Sequence, residues 1–164
     1  MINQELKQRY KKYNKQQLND EFISACKNDD LDIVKYLLTS AKLTEHADIH
    51  AQNDEGFRSA CRYGRLEVVK YLLTSSELTE HADIHAKDDR GFRLTCNYEQ
   101  LEIVKFLIID MNIEKTNYIE KYLTEKTDNK TVQQAIELFN TRDLHHQLNE
   151  NIKDNKEKVK KVKI

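Results

Sequence analysis

Two histidine pairs and three cysteines are the side chains of this chain with the most chemistry to offer. His46 and His50 stand four apart, and His81 and His85 repeat that spacing. On a helix this spacing puts two imidazoles on one face, where they could bind zinc. Neither pair has an adjacent cysteine or a second ligand set at zinc-motif spacing. Structural roles in loops are therefore expected for these histidines, and no metal. The adjacent His145 and His146 offer still less. Cysteine with histidine also invites a thiol nucleophile. Yet Cys26, Cys61 and Cys96 recur 35 apart, as one position of a repeat does. The chain has no nucleophile motif, no Gly-rich phosphate loop, no HExxH and no paired-carboxylate pattern. No catalytic residue and no cofactor is expected, and the chain does not read as an enzyme.

The elements that carry these residues repeat. Residues 31–61 read LDIVKYLLTSAKLTEHADIHAQNDEGFRSAC, and residues 66–96 read LEVVKYLLTSSELTEHADIHAKDDRGFRLTC. Offset by 35 positions, 22 of the 31 residues are identical. A fixed period of ~20–50 residues marks an architecture of stacked units. Each unit is too small to bury its own apolar face, so its neighbours must cover it. Within a unit, residues 57–63 predict a short helix stopped by Gly64, a residue suited to the left-handed position that ends helices. Residues 66–75 place Leu66, Val69, Leu72 and Leu73 on one face at helical spacing. A loop or extended hairpin, rich in Asp, Thr and His, follows. Equivalent helices in neighbouring units lie ~8–10 Å apart. A disulfide needs its Cα atoms within ~7 Å. The three cysteines are therefore expected as small buried thiols, suited to a reducing compartment.

Composition agrees with stacking. With 34% charged residues in 164, and a mean hydropathy of -0.82, the chain is very polar. A narrow apolar layer between units is all that such a stack must fill. The formal net charge of -1 hides an asymmetry. Residues 1–17 carry five bases and one acid, and residues 151–164 carry six lysines and two acids. The intervening 16 bases and 25 acids give residues 18–150 a net charge of -9. An acidic body disfavours wrapping nucleic acid, whose affinity comes mainly from phosphate neutralisation. It favours a partner surface of positive charge. No apolar run approaches the ~20 residues of a membrane span, and the N-terminus lacks the apolar stretch of a secretory signal. A cytoplasmic location is expected.

The unit resembles the ankyrin repeat. ADIHA, then Gly56-Phe57 leading to Ala60-Cys61, then GRLEVVKYLL follow that family's order of segments. Ala47, Asp48, Ile49 and Ala51, and again Ala82, Asp83, Ile84 and Ala86, match the family's ADVNA. Phe22, Ala25 and Cys26 align with Phe57, Ala60 and Cys61 in a first unit from about Leu18, and Phe92, Cys96 and LEIVKFL (101–107) supply a third. The resemblance covers about residues 18–110. There are departures. The chain has no proline, so the family's TPLH is missing. Arg58 and Arg93 stand where its histidine sits, and the threonine–histidine hydrogen bonds that brace the first helix cannot form. Asp29 and Glu99 occupy the Gly64 position and must make a turn that glycine makes more cheaply. The resemblance implies an all-α solenoid of stacked helix pairs with projecting hairpin loops, in three repeats (about 18–52, 53–87 and 88–110). Residues 1–17 would form a basic N-terminal cap segment and 111–140 a degenerate fourth helix pair as C-terminal cap. Residues 141–164 would be a polar helix and lysine-rich tail.

Ankyrin repeats bind proteins through hairpin tips and the exposed side of the first helix. Carried over by position, the tips are Gln52, Asn53, Asp54 and Glu55, then Lys87, Asp88, Asp89 and Arg90. The helix positions are Lys27 and Asn28, Arg62 and Tyr63, Asn97 and Tyr98. Exposed tyrosine and arginine are the types most enriched at binding hot spots. The expected function is non-catalytic protein–protein interaction by a monomer, with no small-molecule substrate. The lysine- and asparagine-rich style resembles ankyrin proteins of intracellular bacteria and large DNA viruses, which implies a host-cell protein as partner and delivery into that cell. The alternative is charge-driven binding of nucleic acid or anionic membrane through the basic termini.

Overall fold

The computed structural model describes residues 2–162. The fold is all-α, and no strand occurs among the described residues. The helices are α1 (Gln4–Tyr10), α2 (Lys15–Asn28), α3 (Leu31–Thr39), α4 (Ala51–Arg62), α5 (Leu66–Thr74), α6 (Ala86–Asn97), α7 (Leu101–Lys105), α8 (Asn117–Glu125) and α9 (Lys130–Val162). Each 35-residue unit supplies a first helix and a second. The first helices α2, α4 and α6 pack in that order, and the second helices α3, α5 and α7 pack beside one another.

Local chemistry sets the ends of these helices. Asn14 caps α2 in a reciprocal capping box with Gln17. Leu18, Phe22, Ala25 and Cys26 then fall on its buried face. The first helices end on left-handed residues at the three equivalent positions: Asp29 at φ 68, Gly64 at φ 72 and Glu99 at φ 57. A side chain there costs about 1 kcal/mol more than glycine. Glu99→Gly is accordingly expected to stabilise the fold by about 1 kcal/mol, read as a higher urea midpoint at unchanged slope. A lower midpoint would mean that the Glu99 side chain holds something worth more than the strain.

Between units the core is a column of rings. Phe22, Phe57 and Phe92 are fully buried, and Phe139 of α9 closes the column 5.9 Å from Phe92. Gly56 lets the Phe22 ring approach so closely that an added Cβ would sit 2.6 Å from it, and Gly91 does the same for Phe57 at 2.5 Å. The three cysteines line the same interior as free, buried thiols. At the N-terminal end α1 lays Tyr10 against Tyr13 and Tyr36. At the other end α8 packs on α6, and α9 on α6 and α7.

Three expectations are corrected. The segment expected as a projecting hairpin is a left-handed helical turn. Gln52, Asn53 and Asp54 have φ of 54, 58 and 58°, and Lys87, Asp88 and Asp89 have 53, 59 and 58°. Three such residues in a row are costly for L-amino acids, and Asn and Asp bear it best. The turn is held down by the residue that replaces the expected histidine: Arg58 donates from Nη2 to the Gln52 carbonyl at 3.0 Å, and Arg93 to Lys87 at 3.4 Å. Secondly, the third unit is irregular. The main-chain bond made by Ala47 to Leu37 and by Ala82 to Leu72 is made by Ile113 to Leu107, so the loop is shorter, and Phe106–Asp110 winds as one π-helical turn. Thirdly, α9 runs unbroken from Lys130 to Val162 through the segment expected as a separate helix and tail. Arg142 still reaches the body, donating to the Ile113 carbonyl at 2.7 Å, while Leu144, Leu148 and Ile152 beyond it are exposed. Lys163 and Ile164, and the lysine side chains from 158 on, lie outside the described residues.

Candidate functional site

The carried-over positions separate into two groups at opposite ends of the first helices. The right-handed part of α4, residues 55–62, is about 12 Å long, and that length divides them.

At the turn end, Gln52, Asn53, Lys87, Asp88 and Arg90 are exposed. Glu55 is half-buried and spent on Arg58 and on the Ser59 hydroxyl. Asp54 and Asp89, expected as exposed tip residues, are 4% and 1% exposed and belong to the scaffold. Oδ1 of Asp54 accepts the Asp83 amide, in the loop that leads into α6, at 2.8 Å and Nδ1–H of His50 at 3.0 Å. Asp89 accepts from His85 and from the Thr116 hydroxyl that caps α8. In the first unit Asn19 stands at the same position and accepts the Asp48 amide at 2.8 Å. Each first helix is therefore stapled to the segment that leads into the following helix by one short polar side chain at this position, half-buried at Asn19 and buried at Asp54 and Asp89. The other histidines of the two pairs brace the long loops: His46 donates from Nε2 to the Ser40 carbonyl and His81 to the Ser75 carbonyl, each at 3.0 Å. All four imidazoles thus have protein partners. No group of three His, Cys, Asp or Glu among the described residues is arranged to hold a metal.

At the other end lies a ladder of alternating cations and rings. Lys27 Nζ stands 5.2 Å from the Tyr63 ring centre, and Arg62 Cζ stands 5.4 Å from Tyr63 and 4.8 Å from Tyr98. Tyr63 is 37% exposed and Tyr98 45%. The ladder is anchored from behind, where Arg65 donates from Nε to the Lys27 carbonyl at 2.9 Å, and Gln100 from Nε2 to the Tyr98 carbonyl at 2.8 Å. Of the remaining helix positions, Asn28 bonds to Ser24 and Asn97 accepts the Tyr122 hydroxyl at 2.8 Å, so both serve the scaffold as much as the surface. Arg65 and Gln100 were not among the sequence candidates. Their sign was their place, one residue past the turn that ends each first helix.

Nucleophilic chemistry has no foothold in the cysteines. Burial pushes all three thiols up, Cys96 to about 12, away from the thiolate a nucleophile needs. Among the described residues, no helix is long and apolar enough to cross a membrane. The chain matches no model of a known protein family, no curated protein and no solved structure.

Proposed function

We propose that this chain is a non-catalytic protein-binding module built as an ankyrin-type stack of helix pairs, and that its binding face is the ladder at the ends of α2, α4 and α6. The observation that carries the reading is the exposure of two tyrosines and an arginine in contact with one another, side by side on neighbouring repeats. Apolar rings at that exposure serve no core. Stacked on one another's cations they are already ordered, so a partner that covers them loses little side-chain entropy on binding. The scaffold beneath is braced: a ring column runs between the first helices, and a short polar side chain ties each of them to the segment leading into the next. Three unpaired thiols suit work in the cytoplasm. A host-cell protein is the partner we favour, on the style of the repeats.

Capture from cell lysate at moderate salt tests the reading. Wild type is run beside the Arg62→Ala/Tyr63→Ala/Tyr98→Ala triple variant, with circular dichroism showing that both are folded. The expected result is a protein retained by wild type and lost by the variant. Equal capture by both sinks the ladder as the binding face. If that capture also vanishes on removing residues 151–164, or between low and moderate salt, charge-driven binding through the basic end replaces the proposal.

A further inference from the structure

Resting on the protein-binding reading, we propose that Arg62 anchors a carboxylate side chain of the partner, and that Lys27, one repeat earlier, takes a second. The ladder therefore fits an extended acidic peptide segment. The argument begins with what Arg62 does not do. Arg9, Arg58, Arg65, Arg93 and Arg142 each donate to a carboxylate or a carbonyl of this chain. Among the described residues Arg62 meets only the rings of Tyr63 and Tyr98, and the Lys27 ammonium only the ring of Tyr63.

A ring face takes up the charge of a guanidinium but none of its hydrogen-bond donors. The five N–H groups of Arg62 thus remain unspent on a side chain that two tyrosines hold in place. That fork matches the two oxygens of a carboxylate, and order paid in advance makes the match tighter. Among the described residues no acid pairs with either cation: Glu67 pairs with Lys70 and Glu102 with Lys105, and Asp29 and Glu99, at the turns that end the first helices, reach neither Arg62 nor Lys27.

The repeat sets the spacing. Neighbouring first helices stand ~8–10 Å apart. A chain in polyproline II conformation advances ~3.1 Å per residue with three residues per turn, so carboxylates three residues apart share one face and meet successive repeats. The two residues between them pass the exposed tyrosine rings and are best apolar or aromatic. A nucleic-acid phosphate shares the anionic chemistry. However, it arrives with a charge every ~1.7 Å of duplex, whereas a body of net -9 over residues 18–150 admits an anionic segment only where each of its few charges meets a cation directly. A peptide brings two charges to the two cations that await them.

Fluorescence anisotropy with the full chain tests this. The probe is a short labelled peptide carrying two glutamates three residues apart with two leucines between them. Its controls are the same peptide with both glutamates replaced by glutamine, and single-stranded oligothymidylate. The glutamate peptide is expected to bind at least about tenfold more tightly than the glutamine peptide, which corresponds to one charge-assisted fork. Arg62→Lys keeps the charge and loses the fork, and is expected to weaken the glutamate peptide about fivefold or more. Arg62→Ala should abolish its advantage over glutamine, and Lys27→Ala should reduce it. Equal binding of the two peptides, no binding of either, an Arg62→Lys variant equal to wild type, or tighter binding of oligothymidylate each overturns the anchor. A lysate partner lost by the triple variant, yet indifferent to Arg62→Lys and to the glutamate peptide as competitor, leaves the binding face standing and removes only the anchor.

Discussion

Phe57→Ala is expected to lower the unfolding free energy by about 3–5 kcal/mol, the largest effect of any single substitution considered. The ring is fully buried, and it fills the gap that Gly91 leaves open on the next first helix. Removing it takes away the transfer energy of a large side chain and opens a void between two repeats. The helices on either side cannot freely close that void, because the bonds from Asn19 and Asp54 to the segments leading into the following helices hold their spacing. Domains of this size hold ~5–15 kcal/mol in total. The variant should therefore unfold at much lower urea, followed by far-ultraviolet circular dichroism. The partner position gives an internal check. Gly91→Ala puts a Cβ 2.5 Å from the Phe57 ring, and overpacking of that kind costs about 1–3 kcal/mol. Combined with Phe57→Leu, which shortens the side chain, the penalty should fall below the sum of the two single changes, the mark of direct contact. A cost under about 1 kcal/mol for Phe57→Ala would mean that the ring column is not what holds the repeats together.

Asp54→Ala comes next, at about 3 kcal/mol. The substitution strands the Asp83 amide of the loop that leads into α6, which the carboxylate accepts at 2.8 Å, and frees His50. An unmet buried donor costs about 1–3 kcal/mol. Alanine also lacks the side-chain bonds that let Asp54 sit at φ 58. Asp54→Asn should cost only about 1 kcal/mol, because an amide oxygen can still accept the amide hydrogen, as Asn19 already does in the first repeat. Urea unfolding of the two variants reads the difference. If alanine is as mild as asparagine, the staple contributes nothing and the turn is held by Arg58 alone.

The helix pairs were legible because both their signals are local. Apolar residues recur at helical spacing, and the 35-residue offset repeats them. The buried cysteines and the turns at Asp29 and Glu99 followed from the same alignment. The handedness of the turn at Gln52–Asp54 was not legible. Asp and Asn announce a loop, but three left-handed residues in succession are unfavourable by themselves. What decides for them is tertiary: the reach of Arg58 back to Gln52 and an amide from the loop that leads into α6. The same bond explains why Asp54 and Asp89 turned out to be scaffold instead of surface. The recurrence of Asn19, Asp54 and Asp89 at one repeat position was visible, yet a short polar residue reads as solvated until its partner is seen. At the C-terminal end the expected break near residue 141 had no residue to make it. There is no proline in the chain and no glycine after Gly91, and Lys, Glu and Gln are good helix formers.

The contacts described above each join a first helix to the next one or to the segment that leads into it: Phe22 to Gly56 and Phe57 to Gly91, Asn19 to Asp48 and Asp54 to Asp83. Front and back of a unit are thus a matched plug and socket. A stretch of gene encoding 35 residues can be copied or lost in frame without leaving any plug unmated. The identity of 22 residues in 31 between neighbours is the trace such copying leaves. Each added copy of the middle unit would carry its own arginine and its own ring, as Arg62 and Tyr63 do, and so lengthen the ladder by one rung.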